Sequence, residues 1–485
     1  MSERRRNENR IRQRSTAACD ACRARKVKCA MPSDGSRCSI CSNLDIECTS
    51  IQPRKRRGPK NRYVQTLRIE LDGGDPIEEN DITERPSLDL IAPDTVLQNI
   101  TSDWFERIHP VAPIFHPTTF LRRIADSQST GDCSASFLLL VASVCAATIA
   151  SLPRRSHLYE GVTVERCISL AERFKLWTPS TDITLEKTLA LYNLCSALHH
   201  ESGMDAPFVH RLMAEAACNL RYMLHYKLDS MPFLDQQVLK RVYWLAYAGQ
   251  CTFDIHGRPL IVLRQPHDHV NALLPLEISD EELLSGPDSS VSHEDYPQTC
   301  SYVSGLNALS RLFLVWQSSQ AITIQSMENL QQHIEQAQQV LANLPPELTW
   351  HNEGATTQTQ TPSEFAFNVQ KVNLKITQLH IRSNLLEQMN TIAKDEQLRF
   401  TPDAIIHERR QVVDELLDTL YRVPKEIFDA NGYSVVPKIR DIGSALLDEL
   451  RTGSHGRTSQ ASISLDKLLA KLEELDMRHV PLTPS

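Results

Sequence analysis

Cys19-Asp20-Ala21-Cys22-Arg23-Ala24-Arg25-Lys26-Val27-Lys28-Cys29 is followed, across an eight-residue loop, by Cys38, Cys41 and Cys48 at the same internal spacing. The segment therefore reads C-x(2)-C-x(6)-C twice, an internal duplication. Its apolar residues, Val27, Ile40, Leu44 and Ile46, are far too few for a core of that length. Something other than hydrophobic burial must fold it, and clustered thiols at this spacing are metal ligands. One tetrahedral zinc takes four ligands and two take eight, so six thiolates serve two ions only if two of them bridge. That arithmetic favours a binuclear cluster of Cys19, Cys22, Cys29, Cys38, Cys41 and Cys48 over a single four-cysteine site with two spare thiols.

The two halves differ in charge. Arg23, Arg25, Lys26 and Lys28 stand between Cys22 and Cys29, whereas Ser42, Asn43, Leu44, Asp45, Ile46 and Glu47 fill the matching interval. Only the first half can face a polyanion. Asp20 suits the first turn of a short helix starting near Cys19, which carries Arg25 and Lys26 at its far end. Arg and Lys reach the O6 and N7 acceptors of guanine in the major groove, so G·C pairs are the expected target. Taken singly, each basic residue could equally hold phosphate, which positions without specifying. A basic strap of Arg54, Lys55, Arg56, Arg57 and Lys60 follows, kept from continuing as a helix by Gly58-Pro59.

The whole chain of 485 residues has a net charge of -8, which conceals a polarised distribution. Residues 1–62 carry 17 Lys and Arg against 6 Asp and Glu, and the remainder carries 35 against 54. A basic head on an acidic body directs nucleic acid to the head alone. Met1-Ser2-Glu3-Arg4-Arg5-Arg6, with no apolar segment behind it, predicts no secretory signal. The apolar run from Phe137 to Leu152 contains Ser143, Thr148 and Ser151 and falls short of the roughly 18 residues of a membrane span. A buried core helix is expected there, and no membrane partner. The expected compartment is reducing, where thiols favour metal over disulfide. Cys133, Cys145, Cys167, Cys195, Cys218, Cys251 and Cys300 lie in apolar surroundings and are expected as core thiols.

Patterning divides the chain into a basic arm (1–18), the cysteine segment (19–48), the strap and an acidic, proline-containing linker (49–97), a helical body (98–450), and a C-terminal linker, short helix and tail (451–485). Within the linker, Val64, Leu67 and Leu71 mark a short helix that Gly73-Gly74 ends. In the body, Leu185, Leu189, Tyr192 and Cys195 share a helical face, as do Leu212, Ala216, Leu220 and Met223, and Val369, Val372, Ile376 and Leu379. With no convincing alternation, the fold class is all-α. Leu330, Ile334, Ala337, Leu341 and Leu344 keep a heptad spacing too short for a coiled coil, and an amphipathic bundle helix is expected. Leu276 to Pro297, with Asp280-Glu281-Glu282-Leu283-Leu284, mixes acidic and apolar residues as activation segments do, although a surface loop is the more ordinary reading. Residues 464–477 share that ambiguity. His199-His200-Glu201 lacks the one-turn separation of a zinc-protease motif, and no phosphate-binding glycine loop or nucleophile elbow occurs, so no enzyme is expected.

The segment from Cys19 to Cys29 resembles the fungal zinc-cluster transcription factors, the yeast galactose activator family. The resemblance implies that Cys19 and Cys38 bridge two zinc ions and that Arg25 and Lys26 read a CGG triplet of double-stranded DNA, with Arg23 and Lys28 nearer phosphate. The strap ending Arg57-Gly58-Pro59-Lys60 is similar to that of maltose-type activators. Family members usually carry Asp or Asn after the third cysteine and Pro shortly before the fourth; here Ala30 follows Cys29 and the loop's proline is Pro32. Residues 98–450 are similar to the accompanying regulatory region through Trp104-Phe105, Pro110-Val111-Ala112-Pro113-Ile114, His116-Pro117-Thr118-Thr119-Phe120, Arg241-Val242-Tyr243-Trp244 and Gly257-Arg258-Pro259. Gly249-Gln250 stands where the family often has Asp-Arg.

The implied function is a nuclear, pathway-specific regulator of RNA polymerase II promoters, an activator serving secondary-metabolite or carbon-source genes and engaging the transcription machinery or co-activators. A homodimer is expected, because one triplet is too short to select a promoter. A zinc-dependent repressor or an architectural DNA-binding protein is the alternative. RNA recognition would want aromatic stacking residues, and none occurs between Arg4 and Arg62.

Overall fold

The computed structural model describes residues 18–29, 37–50, 85–177, 182–258, 263, 270–285, 301–350, 361–395, 403–452 and 460–475. The chain divides into two units, Met1–Thr83 and Glu84–Ser485. Among the described residues it is helical, with no strand. The short helix expected around Val64, Leu67 and Leu71, the arm before Ala18 and the strap lie outside the described residues, as do Ala30, Pro32 and Cys300.

In the first unit two one-turn helices, α1 (Asp20–Ala24) and α2 (Ser39–Asn43), repeat one another. Each is begun by a cysteine whose sulfur stands where a capping oxygen would: Cys19 Sγ accepts from Cys22 N and Cys38 Sγ from Cys41 N, both at 3.4 Å. Each ends alike, with Val27 N donating to Cys22 O and Ile46 N to Cys41 O at 3.1 Å. The residues before these donors, Lys26 (φ 54°) and Asp45 (φ 46°), both turn left-handed. The duplication in the spacing is thus a duplication of the backbone.

The second unit is a helical bundle. Its helices are α3 (Asp94–Asp103), α4 (Pro117–Thr130), α5 (Ala135–Ser151), α6 (Val164–Arg173), α7 (Leu185–Ser202), α8 (Pro207–Tyr226) and α9 (Phe233–Ile255), then α10 (Asp280–Ser285), α11 (Val303–Gln320), α12 (Met327–Ala342), α13 (Pro362–Asp395), α14 (Asp403–Arg422), α15 (Lys425–Ala430), α16 (Val435–Thr452) and α17 (Gln460–Leu475). Local signals start them. Ser134, Thr163, Thr184 and Ser326 cap α5, α6, α7 and α12 through side-chain oxygens. Ser279 with Glu282, and Thr361 with Glu364, form reciprocal capping boxes at α10 and α13.

Packing follows the apolar faces. The helix α5, buried along almost its whole length, lies against α6 and α7, and α7 lies against α8. The 34-residue α13 packs on α11, α12, α14 and α16, and α9 joins the two groups through α8 and α11. Leu189, Leu212, Ala216, Leu220, Met223, Val369, Val372, Ile376 and Leu379 are all buried, as the periodicity requires. Leu330, Ile334 and Ala337 are buried in α12, which packs on α11 and α13 as a bundle helix. No single helix among the described residues is long and apolar enough to cross a membrane.

Two expectations change. The residues from 85 to 97, assigned to a linker for their acids and prolines, belong to the body: Leu88, Ile91, Ala92 and Leu97 are buried, and Pro93 stands at the N-cap position where α3 begins. Proline at the start of a helix is favourable, so its presence there does not mark a loose segment. Of the expected core thiols, Cys145, Cys167, Cys195 and Cys251 are buried and Cys133 is half-buried, but Cys218 is exposed. It lies on α8 with Arg211 and Tyr222, outside the buried stripe.

Candidate metal centre and nucleic-acid interface

Three sulfur pairs of the first unit approach closely: Cys19 and Cys38 at 3.8 Å, Cys19 and Cys41 at 3.6 Å, and Cys22 and Cys38 at 3.7 Å. These are the edges of a zinc–sulfur tetrahedron, since a Zn–S distance of about 2.3 Å gives an edge of about 3.8 Å. They are far too long for a disulfide, and no cysteine of the described residues forms one. Cys29 Sγ accepts from Cys19 N at 3.5 Å, and Cys48 Sγ from Cys38 N at 3.4 Å. Cys29 interacts with Cys19, Cys22 and Cys38, and Cys48 with Cys19, Cys38 and Cys41. The six sulfurs thus fall into two groups of four that share Cys19 and Cys38.

Electrostatics separates the shared sulfurs from the others. The backbone N–H of Cys41 holds the Cys38 thiol down to about 6, and that of Cys22 likewise lowers Cys19. Burial pushes Cys22 up to about 12 and Cys41 higher still. Cys29 and Cys48 are raised as well, so without a metal Cys22, Cys29, Cys41 and Cys48 would keep their protons at neutral pH. Zinc supplies the positive charge that makes thiolate the stable form, and with it the folding free energy that this small unit lacks.

The basic residues sit unequally around the cluster. Arg23 Nη2 is engaged by Asp20 Oδ1 at 2.6 Å. Asp20 also anchors the end of the unit to its beginning: its N–H donates to Thr49 O at 2.8 Å and its second carboxylate oxygen accepts from Thr49 Oγ1 at 3.4 Å. Arg25, Lys26 and Lys28 are exposed and make no ion pair among the described residues. Lys26, left-handed just past the α1 C-cap, departs from the helical path that carries Arg25. Arg54, Lys55, Arg56, Arg57 and Lys60 lie outside the described residues. The second half presents Asp45 and Glu47 where the first presents Lys26 and Lys28. The role of Thr49 was not legible, since nothing in its neighbourhood marks a partner 29 residues away.

In the second unit the family-like motifs of the sequence are structural ties. His116 caps α4 through Nδ1, which accepts from Thr119 N at 3.2 Å, while its Nε2 donates to Asp280 O at 2.8 Å. Arg241, 1% exposed, donates to Pro113 O and Asp280 Oδ1, both at 3.0 Å. His109 reaches the other Asp280 oxygen at 3.1 Å. Trp244 Nε1 donates to Leu273 O, and Trp104, Phe105, Phe115, Phe120 and Phe137 form one aromatic cluster. Arg258, just past the left-handed Gly257, clasps Asp205 through two nitrogens.

A metal-folded, basic-faced head and a separate helical body define a zinc-cluster DNA-binding protein, and comparison with known proteins agrees. The fungal Zn(2)-Cys(6) binuclear cluster domain, which binds two zinc ions, matches residues 17–58, and the fungal specific transcription factor domain matches residues 102–378. The chain belongs to the family of fungal specific transcription factors, and both domains describe regulators rather than enzymes. Among similar proteins, the maltose fermentation regulatory protein MAL13 of Saccharomyces cerevisiae is 24% identical over 47% of this chain and 48% of its own length. The azaphilone cluster-specific transcription factor azaR of Aspergillus niger is 21% identical over 58% and 65%. The citrinin biosynthesis transcriptional activator mrl3 of Monascus ruber is 41% identical over 12% and 11%. The chain spans about half to two thirds of the length of the first two relatives. No solved structure matches.

Proposed function

We propose that this protein is a nuclear, pathway-specific transcriptional activator that reads CGG-like triplets through its cysteine unit. In this reading Cys19, Cys22, Cys29 and Cys38 hold one zinc and Cys38, Cys41, Cys48 and Cys19 the other, with Cys19 and Cys38 shared. The observation that carries it is the grouping of the Cys19, Cys22, Cys38 and Cys41 sulfurs at tetrahedral-edge distances, with Cys29 and Cys48 beside them, next to Arg25, Lys26 and Lys28, three basic residues of one half with no ion pair among the described residues. Arg25 and Lys26 reach base edges; Arg23, held by Asp20, and Lys28 serve phosphate. Arg54, Lys55, Arg56, Arg57 and Lys60 add sequence-independent affinity along the backbone. The relatives, a maltose fermentation regulator, an azaphilone cluster-specific factor and a citrinin biosynthesis activator, support control of carbon-source or secondary-metabolite genes.

Lys26→Ala and Arg56→Ala test this reading. Binding of each variant to a CGG-containing duplex and to one with the triplet scrambled is measured across a salt series. Lys26→Ala should lose about 1–3 kcal/mol on the CGG duplex alone. Arg56→Ala should weaken both duplexes alike and lower the salt slope by about one unit. If Lys26→Ala weakens both duplexes equally, base reading by this half is wrong.

A further inference from the structure

The helical body holds a pocket of about 190 Å³ walled by six helices, α5, α7, α8, α9, α11 and α13, with Ile108, Val111 and Ala112 after α3 and the corner between α15 and α16. Its wall is largely apolar, with Met213, Leu245, Phe253, Leu309 and Phe313, and none of the described residues that line it is acidic. Into this wall α16 brings Lys438, which is 4% exposed. Its Nζ donates to the Thr377 hydroxyl at 2.8 Å and lies 5.9 Å from the centre of the Phe313 ring. Thr377 in turn donates to Asn373 Oδ1, another wall residue, at 3.4 Å. The acid one turn along α16, Asp441, is engaged elsewhere, by His380 Nε2 at 2.6 Å and Asn384 at 2.8 Å. No carboxylate of the described residues pairs with Lys438.

A buried ammonium without a counter-ion is costly, and burial lowers this one only to about 8, so it stays charged at neutral pH. The same wall holds a second unmet group. Asn431 donates to Val369 O and Ile427 O, while its Oδ1 is buried without a donor. The backbone is shaped for the enclosure: Gly432 is left-handed (φ 62°), and a Cβ there would fall 2.7 Å from His200 Cε1 on the wall. A cation and an orphaned acceptor in an apolar chamber are complementary to an apolar acid that carries a hydroxyl group. The volume sets its size, since a cavity of about 150 Å³ accommodates benzene.

We propose that this cavity is an effector site for a small apolar monocarboxylate of about the size of an aromatic ring acid, its carboxylate on Lys438 and its ring against Phe313 and Met213. The site goes beyond the DNA-binding reading and stands independently of it.

Calorimetric titration of the full-length protein with benzoate, 3-hydroxybenzoate and hexanoate tests this, with benzamide and benzylamine as neutral and cationic counterparts. Expected is saturable one-to-one binding of at least one acid, about tenfold or more tighter than benzamide, and none of benzylamine. Lys438→Met should weaken acid binding about tenfold or more while raising the melting temperature of the unliganded protein, because it removes an unpaired buried charge. Ala248→Phe, which fills the chamber from α9 without altering charge, should also abolish binding. The proposal is overturned by any of three results: none of the acids binding saturably; acid binding unchanged in either variant; or Lys438→Met lowering the melting temperature.

Discussion

Cys19 and Cys38 occupy the two positions where the groups of four sulfurs overlap, and each also begins a helix. Losing either removes a ligand from both groups, whereas losing Cys22 removes one from a single group. Native mass spectrometry of the full-length protein should therefore find two zinc ions per chain, fewer in Cys22→Ser, and none in Cys19→Ser or Cys38→Ser. A single zinc in the unaltered protein, with two cysteines open to alkylation, would refute the binuclear cluster. At this scale the sequence was legible wherever chemistry is local: thiol spacing, the helix start at Asp20 and the charge contrast of the halves need no knowledge of distant residues. Arg23 shows where locality ends. Its sequence neighbours mark it as basic, but Thr49, 29 residues on, helps fix the carboxylate that holds it.

Among the elements, α10 shows how a composition signal can mislead. Its run Asp280-Glu281-Glu282-Leu283-Leu284 has the acidic-apolar mixture of an activation segment. In the fold, Asp280 bonds to His109 and to the buried Arg241, with which α9 also holds the Pro113 carbonyl. Burial opposes the charge on this carboxyl, but His109 and Arg241 hold it below its ordinary value. Asp280→Ala strips the guanidinium of Arg241 of its counter-ion and should destabilise the body by about 3–5 kcal/mol, read as a lowered urea midpoint. An unchanged midpoint with reduced reporter activation would instead make Asp280 part of an activating surface. A carboxylate 171 residues beyond its histidine partner offers no periodicity to read. The residues from 85 to 97 were hidden for a different reason: proline serves equally to end a helix, to extend a linker and, at Pro93, to start a helix.

Across the whole molecule, the all-α class was legible because the helical faces are long and one-sided, and because Ser, Thr and Pro mark the helix starts. The interior chamber was not, since it arises only where six helices and the α15–α16 corner meet. The division into head and body raises the question of valency. A three-base-pair site recurs about once in 32 positions when both strands are counted, against roughly a million or more competing sites in a genome. One head cannot select a promoter, so a second reader must come from self-association or from the arm and strap. Beside the strap the sequence spaces Val64, Leu67 and Leu71 for barely two helical turns before Gly73-Gly74, below the length at which an isolated coiled coil holds. Residues 1–80 should therefore sediment as a monomer, and the helical body should supply the pairing. Analytical ultracentrifugation of the full-length protein and of residues 1–80, with titrations on single and paired CGG triplets, checks this. The expected result is a full-length dimer that binds paired triplets far more tightly than single ones, a difference residues 1–80 should not show. A monomeric full-length protein with equal affinity for single and paired triplets would place the added selectivity on the Arg-rich arm and on Arg54, Lys55, Arg56, Arg57 and Lys60.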